Sequence, residues 1–242
     1  MNGRPASGVY VALGDSMSID AYAGGPGRGA ASLLHRNRDE DFPEWSAKDL
    51  DSSGFAAQLL AFDGATSDDV VRDQLPRIAE SPTLVTITMG GNDLMTFYGD
   101  TAAARSAADR AASATDEVLT RLSADGRCRI VVSTVYDPSD GTGYVPGAAL
   151  PPWPEGSVVV RELNSALVEI AHGHGAAVAD VHAGFWGHGV GSGDPAQPDP
   201  RPANGDLWYC GVIEPNAWGA HQIRSIWWQA LVDNGWQPRP SP

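Results

Sequence analysis

The chain has 242 residues, enough for a domain with a well-filled core, and its 42% hydrophobic and 19% charged content is that of a globular protein. A formal net charge of −14 makes the chain a poor candidate for a phosphate backbone or an anionic membrane, which demand clustered Lys and Arg. Two cysteines, Cys128 and Cys210, supply neither a disulfide framework nor a zinc pattern. No apolar run reaches the length of a membrane span, and Met1–Gly8 carries no secretory signal. The expectation is a cytoplasmic protein with one domain over residues 1–242, flexible over 1–8.

In chain order, Val9–Leu13 is a short apolar run closed by Gly14-Asp15-Ser16. That pattern predicts a core strand entering a turn. It sets the Ser16 hydroxyl just past the carboxyl end of the strand, the edge where open α/β sheets bind ligands. Taken alone, Asp15-Ser16 fits a helix cap equally well. The run Gly24-Gly25-Pro26-Gly27-Arg28-Gly29 lacks the Lys-Ser/Thr ending of a phosphate loop and does not follow a strand directly. It reads as a loop at the rim of a site. Arg28 is its one cation, either a solvated loop residue or a holder of an anionic substrate group. Residues 31–51 are irregular, with Trp45 as anchor.

Residues 55–62 predict a second strand ending at Asp63-Gly64-Ala65-Thr66, with a helix from Ser67 through Val70, Val71, Leu75 and Ile78. Leu84–Met89 predicts a third strand, ending at Gly90-Gly91-Asn92-Asp93. Helices are expected over 100–123, from a Ser157 cap onward, and over about 216–232 behind Pro215. Residues 129–135 and 176–181 predict the fourth and fifth strands. The long segments 137–156 and 182–213 are rich in Gly and Pro. This alternation argues a parallel sheet with helices on both faces.

Gly14-Asp15-Ser16, Gly64 in its turn, and Gly91-Asn92-Asp93 lie at three successive strand ends. In order and spacing they resemble the first three sequence blocks of the SGNH, or GDSL-type, hydrolases. The resemblance extends over nearly the whole chain. It implies a flavodoxin-like three-layer α/β sandwich around a central parallel five-stranded sheet. It further implies an ester hydrolase or acyltransferase acting on a small-molecule ester, without metal or organic cofactor. Ester cleavage needs a nucleophile and a place for charge on the attacked carbonyl oxygen. Ser16 corresponds to the nucleophile. The Ser16 and Gly64 amides and the Asn92 side-chain amide correspond to the oxyanion donors.

The fourth block departs from the family. Pro215, Asn216 and Gly219 fit, but Glu214 stands where the general-base histidine is expected and Gly211 where its aspartate is expected. Three repairs are open. Glu214 could be the base if burial raised it a few units from near 4.3. His188, between two glycines, or His182 could be the base with Glu214 as its partner, since triads are defined by geometry and not by chain order. His221 could turn inward, but it lies about two helical turns beyond Glu214 and reads as structural, as do His172 and His174. Asp15, Arg28, Trp186 and Trp208 are candidates for contacting substrate, the two tryptophans as walls of an acyl pocket. A catalytically silent binding protein on the same fold is the alternative function.

Overall fold

The computed structural model describes residues 8–124 and 126–236. The expected flexible start lies outside these residues except for Gly8, which belongs to the first strand. Five parallel strands form the sheet: β1 (Gly8–Gly14), β2 (Phe55–Leu59), β3 (Leu84–Thr88), β4 (Arg129–Ser133) and β5 (Ala177–Ala179), in the order β2-β1-β3-β4-β5. This is the flavodoxin-like order, whose ligand crevice opens between β1 and β3, where the chain's winding direction reverses.

Side-chain alternation along the strands feeds two cores. Val11, Leu13, Val85, Ile87, Ile130 and Val132 face one core. It is closed by α4 (Thr101–Ser123) and α5 (Pro154–Gly173), helices whose Ala111, Val118, Val159 and Leu163 are buried. Tyr10, Ala12, Leu84 and Val131 face the other. It is closed by α1 (Ala30–His35), α6 (Val181–Phe185) and α7 (Ala217–Asp233). Trp227 of α7 is fully buried there and donates its indole N–H to Ser133 Oγ at 2.7 Å. Trp45 anchors its segment as expected, stacking on the buried Arg224 guanidinium 3.8 Å from the ring centroid.

Short elements complete the chain. The helix expected from Ser67 is broken up. One turn, α2 (Ser67–Asp69), passes into a π-helical stretch at Val70–Gln74 and a 3-10 turn at Leu75–Arg77. The short helix α3 (Gly91–Met95) follows β3, and a two-stranded antiparallel hairpin, β6 (Tyr209–Cys210) with β7 (Glu214–Pro215), precedes α7. Ser157 is not a helix cap. The helix starts one turn earlier at Pro154, whose missing N–H costs nothing there, and the Ser157 hydroxyl donates to Asp137 at 2.5 Å.

The junction of β1 with β3 positions the site. Gly14 has φ +128°, and a Cβ there would lie 1.9 Å from the Thr88 carbonyl oxygen, so no other residue fits. The fully buried Gln74 clamps this glycine from both sides. Its Oε1 accepts the Gly14 N–H and its Nε2 donates to the Gly14 carbonyl, both at 2.7 Å. The π-helical stretch ends on this residue, in keeping with the tendency of such bulges to sit at functional sites. Gln74→Ala leaves the buried Gly14 N–H without its partner, at roughly 1–3 kcal/mol, while the Gly14 carbonyl keeps the Phe62 N–H at 3.2 Å. Urea denaturation should therefore show a loss of about 1–3 kcal/mol; a loss under about half a kcal/mol would mean that the clamp carries no weight.

Candidate active site

Three turns meet at the carboxyl edge of the sheet. The first carries Asp15 and Ser16, both buried. Thr88 Oγ1 accepts the Asp15 N–H at 3.2 Å and bonds Ser18 Oγ at 3.0 Å, and Asp15 Oδ1 accepts the Met17 N–H at 3.1 Å. The second carries Gly64, with φ +73° and open space where a Cβ would stand. The third is the start of α3 with Asn92. The last two are laced together: Asn92 Nδ2 donates to the Ala65 carbonyl at 3.0 Å, and Asp93 accepts from the Ser67 amide and hydroxyl at 2.9 and 2.6 Å. Asn92 keeps its second amide N–H. Neither the Ser16 nor the Gly64 backbone N–H donates to any acceptor among the described residues. Three uncommitted donors thus stand on three turns at one edge of the sheet.

Glu214 arrives from the opposite side on the β6–β7 hairpin. The Ser16 hydroxyl lies close enough to the Glu214 carboxyl to favour its charged form, yet no hydrogen bond within 3.5 Å joins them, and Glu214 Oε2 is buried with no hydrogen-bond partner among the described residues. Burial pushes the Glu214 carboxyl up to about 7; the nearby Ser16 hydroxyl pulls against this rise and the Asp63 charge adds to it. Burial likewise pushes Asp15 up to about 7, opposed by the Met17 amide and Thr88 and reinforced by the Glu214 charge. The hairpin itself is held under tension. Its tip puts Gly211 at φ +59° and Val212 at φ +86°, a costly conformation for a β-branched residue. The amides of these two residues donate to the Gln197 and Pro195 carbonyls, and the Ile213 carbonyl accepts the Tyr136 hydroxyl at 2.5 Å.

Asp15, Ser16 and Asn92 line a cavity of about 870 Å3, counting its open mouth, whose other walls come from α3, residues 135–157, α5 and the hairpin tip. The other candidates from the sequence lie elsewhere. His188 does not line this cavity. Its ring stacks on Trp208 at 3.4 Å between centroids, and its Nδ1 bonds the Asp206 carbonyl at 2.7 Å, because the 186–208 loop folds back on itself. His182 bonds the Val135 carbonyl through Nδ1 at 3.1 Å. No histidine is among the cavity's lining residues. Trp208 is occupied by His188, and Trp186 is 54% exposed and lies against Gly141, so neither walls the cavity. Arg28 is paired with Asp41 at 2.9 Å, a carboxylate that also holds Arg38 and Arg201. His221 is structural as expected: it stacks on Phe42 at 4.0 Å and contacts Arg224.

Four positioning residues escape a sequence reading. Gln74 and Thr88 fix the first turn, while Tyr22 donates to Asp63 at 2.8 Å and Asp63 in turn raises Glu214. Only Asp63 had a signal, its place directly before Gly64.

Comparison with known proteins bears on the family and the fold. The model of the GDSL-like lipase/acylhydrolase family matches residues 12–221. A lipase from Streptomyces rimosus is 27% identical over 206 residues, covering 77% of this chain and 74% of its own. The structure of phospholipase A1 from Streptomyces albidoflavus covers 95% of this chain and 100% of its own, at 25% identity and a TM-score of 0.59. The acetylxylan esterase Axe2 from Geobacillus stearothermophilus shares the fold, with a TM-score of 0.61 at 16% identity over 98% of each chain. The family match runs from the middle of β1 into α7 and takes in all three turns and the hairpin, and on that extent the chain belongs to the GDSL-like lipase/acylhydrolase family of ester hydrolases.

Proposed function

We propose that the chain cleaves esters through an acyl-Ser16 intermediate, with Glu214 as the general base. The observation that carries this reading is a Glu214 carboxyl near the Ser16 hydroxyl whose Oε2 is buried without a hydrogen-bond partner, and which burial pushes up to about 7. An ordinary carboxylate is too weak a base for a serine near neutrality; a raised one approaches imidazole. As Ser16 Oγ attacks the carbonyl carbon, its proton passes to Glu214. The carbonyl oxygen takes the negative charge and meets the amides of Ser16 and Gly64 and the second N–H of Asn92. Collapse breaks the bond to the alcohol oxygen, which takes the proton from Glu214. Water then attacks the acyl-serine, Glu214 accepts its proton, and Ser16 leaves as the free hydroxyl.

A fluorophosphonate should add one equivalent to the wild-type chain, read by intact mass, and none to Ser16→Ala. Absence of an adduct at every pH from 6 to 9 would shift the reading to a binding protein that has lost turnover. Glu214→Gln should lower kcat/KM by roughly 10²–10⁴. The wild-type kcat/KM should rise with pH to a plateau with a midpoint near 7, because the base acts only when unprotonated. A flat profile through that range would remove Glu214 from the role.

The raised carboxyl also has a signature independent of turnover. The folded state holds the Glu214 proton up to about pH 7, while the unfolded chain releases it near 4.5. The folded state therefore binds the extra proton between these values, and stability falls as pH rises through that window. Glu214→Gln lacks this loss, so its urea midpoint should gain on the wild type from pH 4 to pH 8. A variant midpoint that loses ground to the wild type as pH rises would show a carboxyl held charged instead.

A further inference from the structure

The two edges of the sheet are built in opposite ways. β5 is three residues long, and its Ala177 and Ala179 are buried. β2 is exposed at Ala56, Ala57 and Leu59, the last to 46%. From Gly54 to Phe62 the chain carries neither a charge nor a proline. Charges, proline or a covering segment are what ordinarily keep an edge strand from pairing. The hydrogen bonds show how wide the opening is. The Leu60 N–H donates to the Ala12 carbonyl at 2.9 Å, so the even-numbered residues of β2 face β1 and the odd-numbered ones face outward. Phe55 is closed: its N–H donates to the Leu50 carbonyl at 3.0 Å, and its carbonyl bonds His35 Nε2 at 3.1 Å. Ala61 turns back to donate to the Ala12 carbonyl at 3.1 Å. Between them, no hydrogen bond among the described residues engages the outward N–H and C=O groups of Ala57 and Leu59.

Such an opening is complementary to itself. We infer that the Ala57–Leu59 edge is an interface for a second copy of this chain, the two β2 strands pairing antiparallel about a two-fold axis at Gln58 to join both sheets into one. Ala57 and the partner's Leu59 then exchange two hydrogen bonds, and Leu59 and the partner's Ala57 two more. The large Leu59 side chain lies across a small one. Phe55 comes opposite the partner's Ala61, so the positions already bonded within each chain face each other. A longer foreign strand would meet those same positions with groups left unpaired. Charge matches as well. Gln58 holds residues 77–79 beside the edge, donating to the Arg77 carbonyl at 2.7 Å and accepting the Ala79 N–H at 3.0 Å. Arg77 and Glu80 on this segment are exposed, and neither forms an ion pair among the described residues. The two-fold axis turns Arg77 of each copy toward the partner's Glu80.

Sedimentation velocity of the full chain from about 1 to 300 µM reads the assembly. A species of twice the mass of one chain should grow with concentration; a monomer throughout overturns the inference. Ala57→Pro removes an outward N–H and none that faces β1, and Leu59→Lys sets a charge on the edge. Each should raise the dimer Kd by about tenfold or more. A dimer that both substitutions leave intact lies on another face and overturns the inference. Arg77→Glu and Glu80→Arg should each weaken the dimer about fivefold, and the two together should restore it, which a loss of folding cannot do. A double reversal that stays weak overturns the antiparallel pairing. Should the edge variants fail to fold, judged by thermal midpoint, hydrogen exchange in the wild type decides. The Ala57 and Leu59 amides should exchange about tenfold more slowly at high concentration than at low. Protection independent of concentration assigns the edge to a segment of the same chain, and fast exchange at every concentration leaves the edge bare; either result overturns the second copy.

Discussion

The site depends on the closeness of two backbones. Gly14 ends β1 so near the Thr88 carbonyl that a single added carbon would collide with it at 1.9 Å. That approach forces the chain to turn at once, and the turn is Asp15-Ser16. Gln74 then satisfies both backbone groups of the glycine, so the sharp exit from the sheet leaves nothing polar stranded. The turns carrying Gly64 and Asn92 brace each other through Ala65 and Asp93. All three turns hang from adjacent strands, β2, β1 and β3. The half of the site that would receive negative charge is therefore built into the sheet.

The other half is built differently. Glu214 belongs to a two-residue strand beyond the sheet, tied down through loop carbonyls. An imidazole in this place would be neutral and near the right basicity by its own chemistry. A carboxylate gets there only through its surroundings. Burial supplies most of the shift and Asp63 some more. Tyr22, two residues before the glycine-rich run, holds Asp63 in place.

The residues legible in the sequence share one property. Ser16, Gly64 and Asn92 each follow an apolar run closed by glycine, so strand, turn and edge could all be located from local pattern. Glu214 was legible as a departure, because Pro215 and Asn216 around it still fit. Gln74 was not, because its partner is 60 residues away and lies inside a helix pattern that reads as ordinary. The stretch 182–213 misled for the opposite reason. It has no period, so nothing in it says which side chains turn inward. His188 and Trp208, assigned to the site, spend their faces on each other. Arg28, the one cation of the glycine-rich run, is drawn to Asp41, a partner 13 residues on that no motif marks.

One element serves both ends of the chemistry. Val212 and Ile213 wall the cavity, and the next residue in the chain is Glu214. Val212 sits in a backbone conformation that its side chain resists. Whatever fills the cavity therefore touches the strained turn that leads directly into Glu214. The hairpin joins the cavity wall to the buried carboxyl through consecutive residues, with no other element between them.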